Sequence, residues 1–164
     1  MIEKQKITSY PGGNKKTETY KDGDIFVTKH FYNAKDAYVK EFISLKDGIT
    51  EIKHYTEKGV LSKLDHFMEE KRHGEEIKYL VSKANKSVKS SKIYDNGKLH
   101  GQSITYNENG EIIKHEVFAN GKRVLKYLRE DSESNEITGV EILDEESVAN
   151  LPKEESEKLA LIRA

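Results

Sequence analysis

The sequence predicts a mainly β protein, an antiparallel meander of repeated β-hairpins forming an extended twisted sheet, with a short α-helical acidic C-terminal tail. Three observations predict this fold class. Turn-forming pairs that end in glycine recur along the chain, aromatic residues recur every twelve residues, and acids accumulate after residue 128. A regular repeat of this kind is typical of an architecture in which neighbouring units pair to bury apolar surface.

Three Asn-Gly pairs and three evenly spaced aromatic residues form the clearest repeats. The glycines of the pairs are Gly97, Gly110 and Gly121, and the aromatic residues are Tyr94, Tyr106 and Phe118. Asn-Gly tolerates the positive φ angles of the type I′ turn, which matches the twist of two antiparallel strands. One short strand plus one turn occupies about twelve residues. We therefore expect the glycines to hold turns and the aromatic residues to pack as a repeating stripe.

The repeat continues upstream in weaker form and divides the chain into three parts. We predict an irregular N-terminal segment at residues 1–15, with room for one edge strand. A β-hairpin repeat domain is predicted at residues 16–128, and an acidic C-terminal segment with one or two short helices at residues 129–164.

Three stretches are ambiguous in the sequence. Residues 34–45 fit either a helix or a strand, and the repeat spacing before Asp47-Gly48 favours the strand. Residues 82–91 contain no aromatic residue and fit either a long loop or a degenerate hairpin. Residues 136–143 fit a last strand.

The acidic segment has sequence features of short helices. Asp144 can cap a first helix, and Pro152 suits the first turn of a second. We expect Leu151, Leu159 and Ile162 to form an apolar stripe that packs on the sheet or on a partner.

Charge is divided unevenly, although the whole chain has a net charge of -1. Residues 129–164 hold eleven acids and four bases, a balance of -7, whereas residues 1–128 hold 24 bases and 18 acids, a balance of +6. Such asymmetry fits an interaction tail, and equally a tail that folds back on its own body. The acids that we expect to contact a partner are Asp144, Glu145, Glu146, Glu154 and Glu155.

The composition excludes several kinds of chemistry. There are no cysteines, so no disulfide and no cysteine-based metal or nucleophile site can form. No glycine-rich phosphate-binding motif occurs, and adjacent glutamate pairs have the pattern of a solvated face. His54 and His66 precede aromatic residues one repeat apart, so we interpret them as outward-facing strand residues rather than metal ligands. We predict no catalytic residues, no metal and no cofactor.

One motif resembles a known family. The pattern Y-x-N-G-K-L-x-G is formed by Tyr94, Asn96, Gly97, Lys98, Leu99 and Gly101, and is followed by Tyr106, Asn109-Gly110, Phe118 and Asn120-Gly121-Lys122. It resembles the MORN-repeat variant found in bacterial proteins of the YwqK type, antitoxin components of toxin–antitoxin systems. The resemblance is specific over residues 92–124, weaker over 18–80 and absent from the tail. Upstream, the glycine four residues after the turn glycine is missing after Gly23, Gly48 and Gly59.

The resemblance implies hairpin repeats in an extended sheet, a binding role rather than catalysis, and a toxin as partner. We therefore expect a non-catalytic antitoxin or immunity-type protein that neutralises a toxin or other effector protein. Its acidic tail would cover a basic active site. The alternative is a structural or membrane-surface-associating MORN-like scaffold.

Other partners and the location follow from the same sequence. Aromatic residues on a basic sheet can stack bases, but a regular aromatic spacing is more typical of a repeating core. Direct nucleic-acid binding and a small-molecule substrate are therefore not expected. The absence of an apolar targeting stretch predicts a cytoplasmic protein.

Overall fold

A single antiparallel sheet forms most of the molecule. The computed structural model describes residues 2–81, 87–131 and 133–164, and within them thirteen strands form one sheet. The strands are β1 (Ile2–Ser9), β2 (Lys15–Asp22), β3 (Ile25–Phe31), β4 (Val39–Lys46), β5 (Ile49–Tyr55), β6 (Leu61–Met68), β7 (Lys71–Arg72), β8 (Gly74–Tyr79), β9 (Val88–Asp95), β10 (Lys98–Tyr106), β11 (Ile112–Ala119), β12 (Lys122–Leu128) and β13 (Gly139–Ile142), followed by a 3₁₀ helix (Glu145–Asn150) and α1 (Lys153–Arg163). Neighbours in the chain are neighbours in the sheet, except that β7 pairs only with β6, and β6 also pairs with β8. The predicted fold class is confirmed.

Asn96-Gly97 and Asn120-Gly121 form two-residue turns. All four residues have positive φ angles, between 48° and 88°, as a type I′ turn requires. The N–H group of Gly97 donates to the carbonyl oxygen of Arg72, and that of Gly121 to the carbonyl oxygen of Leu99, both at 2.8 Å. The turn after β9 is therefore hydrogen-bonded to β7, and the turn after β11 to β10. These bonds join one hairpin to the next.

The third Asn-Gly pair forms a different turn. Gly110 has a positive φ of 84°, but Asn109 does not. The side chain of Asn107 accepts hydrogen bonds from the N–H groups of Asn109 and Glu111, at 2.9 and 3.0 Å. These bonds stabilise a three-residue turn with glycine at its last position. Gly110 does hold a turn, but the type I′ prediction is wrong for this pair.

Tyr94, Tyr106 and Phe118 are half-buried but do not form one stripe. Tyr94 lies opposite Leu99, next to a two-residue turn, whereas Tyr106 lies opposite Ile112, at the other end of the strands. Because successive strands run in opposite directions, residues twelve positions apart lie at opposite ends of neighbouring strands. Tyr94 and Phe118 therefore lie at the same end of their strands and Tyr106 lies at the opposite end, so the three half-buried residues do not form the predicted repeating stripe.

Gly101 lies at an irregularity in the sheet. The register between β9 and β10 shifts between Leu99 and Ser103. Gly101 has a φ of +123°, and a Cβ atom there would lie 3.2 Å from the Cβ of Ile93. Both the backbone conformation and the close neighbour favour glycine.

The buried core lies at the C-terminal end of the sheet. Its buried residues are Val117, Ala119, Val124, Leu125, Tyr127, Leu151 and Leu159. Val27 is the one other buried hydrophobic residue in the part of the chain that the structure describes. We call the face of the sheet that carries the C-terminal helices the tail face, and the opposite one the open face. All described elements upstream of β10 belong to this one sheet, so they form a single layer.

The three ambiguous stretches and the N-terminal segment all contain strand residues among those that the structure describes. Residues 34–45 contain the first part of β4, as the repeat spacing favoured, and the last strand, β13, is shorter than residues 136–143. Residues 82–86 of the third stretch lie outside the described residues, so its loop or hairpin alternatives stay open, and residues 88–91 belong to β9. The N-terminal segment contains the edge strand β1, which pairs with β2 through a register that shifts twice, so the sheet begins at Ile2 and not at residue 16.

Candidate binding surfaces

The tail face of β2 to β6 forms a shallow trough, which we call the β2–β6 trough. Its volume is about 640 Å³. Cross-strand pairing places Tyr20 opposite Val27, and Lys29 opposite Phe42. Since alternate residues of a strand point to opposite faces, these four side chains share the tail face. The helices contact β11 to β13 at the other end of the sheet, so the trough is open.

The trough has an apolar floor and a charged margin. Lys29 Nζ lies 5.1 Å from the ring centre of Tyr20 and 5.6 Å from that of Phe42, within the range of cation–π attraction. At the margin, Glu51 accepts a hydrogen bond from His66 Nε2 at 3.0 Å and lies 3.7 Å from Lys53 Nζ. Lys29 has no carboxylate partner within the described residues.

The acidic tail folds back on the tail face. Leu151 and Leu159 are buried in the core, and Ile162 packs against them and the sheet. The predicted apolar stripe is confirmed, and its site is the chain's own sheet. The tail is therefore part of the folded body.

A chain of hydrogen bonds connects α1 to the sheet at this junction. Gln102 Nε2 donates to Glu155 Oε1 at 2.7 Å, and the Tyr127 hydroxyl donates to Glu155 Oε2 at 2.8 Å. Lys158 Nζ lies 3.6 Å from the same carboxylate. Burial of the phenol raises the pKa of Tyr127, and the contact with the Glu155 carboxylate raises it further.

His115 extends this network away from the helix. Arg129 donates to His115 Nδ1 at 2.9 Å, so Nε2 carries the proton and donates to Gln102 Oε1 at 3.0 Å. The ring also contacts Tyr127 edge-on, with centroids 4.7 Å apart. Burial, together with the positive charges of Arg129 and Lys158, lowers the pKa of His115 to about 4. The imidazole is therefore neutral at pH 7.

Four of the five predicted partner-binding acids lie on the outside of the tail. Glu145, Glu146 and Glu154 are exposed, and Glu145 also lies 3.5 Å from Arg163. Asp144 is half-buried and accepts a hydrogen bond from the Ser147 hydroxyl at 2.8 Å, which lowers the pKa of the Asp144 carboxyl. The tail therefore presents an acidic outer side.

Glu155 differs from the other four. Its side chain is turned towards the sheet, and the residue is only 3% exposed. Both carboxylate oxygens are occupied by donors from the sheet. Glu155 stabilises the fold of the tail, so its assignment as a partner contact is corrected.

The open face carries a repeated arrangement that the sequence reasoning missed. Asp65 and Glu116 are buried, and each accepts a hydrogen bond from the arginine seven residues later. The distances are 2.7 Å from Arg72 to Asp65 and 2.9 Å from Arg123 to Glu116. An aromatic residue follows each acid by two positions, so the spacing acid-x-Phe-x₄-Arg was visible in the sequence.

Arg72 is the centre of the upstream copy. Its guanidinium lies 5.4 Å from the ring centres of both Phe67 and Tyr94, and it donates to Glu76 Oε2 at 2.5 Å. Burial acts to raise the pKa of Asp65, but hydrogen bonds from Lys63 and Arg72 outweigh it and lower that pKa. Tyr94 is thus packed against an ion-pair cluster rather than an apolar core.

The histidines one repeat apart point to opposite faces. His54 Nε2 lies 3.0 Å from Asp65 on the open face, and His66 Nε2 lies 3.0 Å from Glu51 on the tail face. They cannot share a ligand. Among residues 2–81, 87–131 and 133–164, no group of three or more histidines and acids is placed to hold a metal ion.

Comparisons with known proteins give no relative. No family model, curated protein or solved structure matches the chain. No described helix has the length and apolar character needed to cross a membrane.

Proposed function

We propose that the chain is a non-catalytic protein-binding repeat protein of the antitoxin or immunity type, which binds and neutralises a toxin or other effector protein. The observation that carries this proposal is the acidic outer side of the tail. The apolar side of the tail is buried against the sheet, whereas Glu145, Glu146 and Glu154 are exposed to solvent.

This arrangement suits a basic partner surface. The acids lie on helices that are packed against the sheet. Because this backbone is already ordered, a partner that binds the acids loses little affinity to the conformational entropy of the tail. Opposite charge accelerates encounter with a basic cleft and competes with an anionic substrate for it. The buried ionisable groups also support a binding role rather than catalysis. Glu155, His115 and Asp65 are each hydrogen-bonded to other side chains of the same chain.

The test is capture of partners from host lysate with the full chain and a neutralised variant, E145Q/E146Q/E154Q. We expect one stoichiometric protein on the wild-type chain, its loss from the variant, and inhibition of its activity by the wild-type chain. The matched control is E57Q/E69Q/E108Q, which removes the same charge from exposed turns. A truncation after residue 128 is unsuitable, because it removes Leu151 and Leu159 from the core.

Equal retention by both variants would move the binding site away from the tail. Absence of any specific protein from all three lanes would contradict the proposed function. Efficient inhibition of the partner by the neutralised variant would contradict the role of the acids.

The alternative is a scaffold that associates with a membrane surface. Lys78 and Lys126 are exposed on the open face, and Lys92 lies between them on an intervening strand. Lysines on one face attract anionic lipid. Salt-sensitive binding to vesicles that contain an anionic phospholipid would support this alternative, and no binding at low salt would exclude it.

A further inference from the structure

We propose that the β2–β6 trough binds an amphipathic helix of the partner protein, with an acidic residue beside the helix's apolar stripe. This inference rests on the proposed function and adds the partner segment and a second contact surface. It is carried by the continuity of the tail face, the dimensions of the trough and the position of Lys29.

The trough is continuous with a surface that already carries a helix. A row of cross-strand neighbours leads from Phe42 to His115. The residues between them are, in order, Lys53, Leu64, Ile77, Ser91 and Ile104. The His115 ring contacts Tyr127, which bonds to α1. One face therefore holds a helix at its C-terminal end, and no helix of the described residues covers it at β2 to β6.

The dimensions of the trough fit a short helix. Five strands span about 19 Å, since neighbouring strands lie about 4.8 Å apart. A helix of roughly 13 residues has this length, because each residue adds about 1.5 Å. α1, which covers the C-terminal part of the same face, has 11 residues. Tyr20, Val27 and Phe42 would receive apolar residues spaced at i, i+3 or i+4, and i+7.

Lys29 sets the charge of the expected helix. Its ammonium group lies within cation–π range of the Tyr20 and Phe42 rings, which line the trough. Glu18, the residue opposite Lys29 in β2, is paired with Lys15, and no carboxylate among the described residues forms an ion pair with Lys29. Glu51, by contrast, is already paired with Lys53 and His66. A partner carboxylate at Lys29 would complete a charge-assisted bond in a partly desolvated site. We therefore expect Asp or Glu next to the apolar stripe.

The experiment places a photo-crosslinker in the trough of the full chain in its host. Phe42→p-benzoyl-phenylalanine probes the trough, and Phe26→p-benzoyl-phenylalanine is the control, because Phe26 is 55% exposed on the open face. We expect a partner adduct from position 42 and not from position 26. Sequencing of the crosslinked peptide should show helical apolar spacing with an adjacent acid.

The mapped segment is then made as a peptide and titrated against the full chain. It should become helical on binding, and K29E should weaken its affinity by roughly tenfold or more. F26S should change the affinity less than about twofold. Unchanged urea unfolding of K29E confirms that the variant is folded.

Three results would overturn the inference: a mapped segment without helical spacing, an affinity that K29E leaves unchanged, or adducts to a second copy or to lipid. If the tail captures a protein but position 42 gives no adduct to it, the inference fails and the proposed function stands. If no position and no capture lane gives a protein, both fail.

Discussion

The Tyr127 hydroxyl donates a hydrogen bond to Glu155 Oε2 over 2.8 Å, and both residues are buried. This contact joins a central strand of the core to α1. A carboxylate in an apolar interface is tolerated only when donors satisfy it, and Gln102 supplies the second donor. The acidic tail is therefore held to the sheet by one of its own acids.

Substitution of Glu155 should destabilise the whole protein. Glu155→Ala leaves the buried Tyr127 hydroxyl and the half-buried Gln102 amide without this acceptor. We expect a loss of about 2–4 kcal/mol in the free energy of unfolding, measured by urea denaturation. Glu154→Ala, one residue away and exposed, should stay within about 0.5 kcal/mol of wild type. Equal effects of the two substitutions would contradict the assigned contact.

His115 should make stability depend on pH. Its pKa is about 4 in the folded protein, below the ordinary value of 6.5 in the unfolded chain. The unfolded chain therefore takes up a proton first as the pH falls, so stability is complete above pH 6.5 and declines towards pH 4. The loss is up to about 3 kcal/mol, from 1.4 kcal/mol per pKa unit.

The comparison that checks this prediction is urea unfolding of wild type and His115→Gln from pH 7.5 to 4. The variant should be less stable at pH 7.5 but should lack the part of the pH dependence that His115 contributes. His30→Gln, outside the network, should keep the wild-type slope. A wild-type slope in His115→Gln would show that other groups cause the decline.

Gly121 should resist substitution because of its backbone. Its φ is +88°, and the N–H group is bonded to the preceding hairpin. Gly121→Ala should cost about 1–2 kcal/mol, the usual penalty for a left-handed L-residue. Gly139→Ala is the matched control, since Gly139 lacks a positive φ and has only ordinary contacts. Thermal unfolding of both variants measures the difference, and an equal effect would argue against the type I′ turn.

The repeated acid–arginine pair on the open face should matter equally at both positions. Asp65→Ala and Glu116→Ala each remove a buried acceptor and leave an arginine that solvent can partly hydrate. We expect each to cost roughly 1–3 kcal/mol. Asp95→Ala, which breaks an exposed pair with His73, should cost less than about 1 kcal/mol. A cost confined to one of the two buried acids would show that the pairs are not equivalent.

Local features of the fold were predictable because they depend on neighbours in sequence. Asn96-Gly97 specifies its turn through the φ angles that the pair tolerates, and Leu151, Leu159 and Ile162 form a stripe whatever surface receives them. The aromatic stripe was predicted wrongly because a twelve-residue period ignores the reversal of direction between strands.

The junction of tail and sheet was not predictable from the sequence. Glu155 lies on the apolar side of α1, four residues before Leu159 and seven before Ile162, and this spacing distinguishes it from Glu154. Its two donors lie 28 and 53 positions earlier, and no local pattern identifies them. The β2–β6 trough likewise depends on register across five strands. The acid–arginine spacing, in contrast, is visible in the sequence. It is found only when charged residues are compared between repeats together with the glycines and aromatic residues.

The central claim is that the acidic segment is a folded part of the body, so that its outer acids form a preformed binding surface. Amide hydrogen exchange of the free full-length chain at pH 7 tests it most directly. We predict that amides of α1 around Leu159 are protected to within about tenfold of those in β12, because one buried cluster holds both. Exchange of α1 at the rate of an unfolded peptide, with the sheet still protected, would contradict the claim and make the tail a mobile arm.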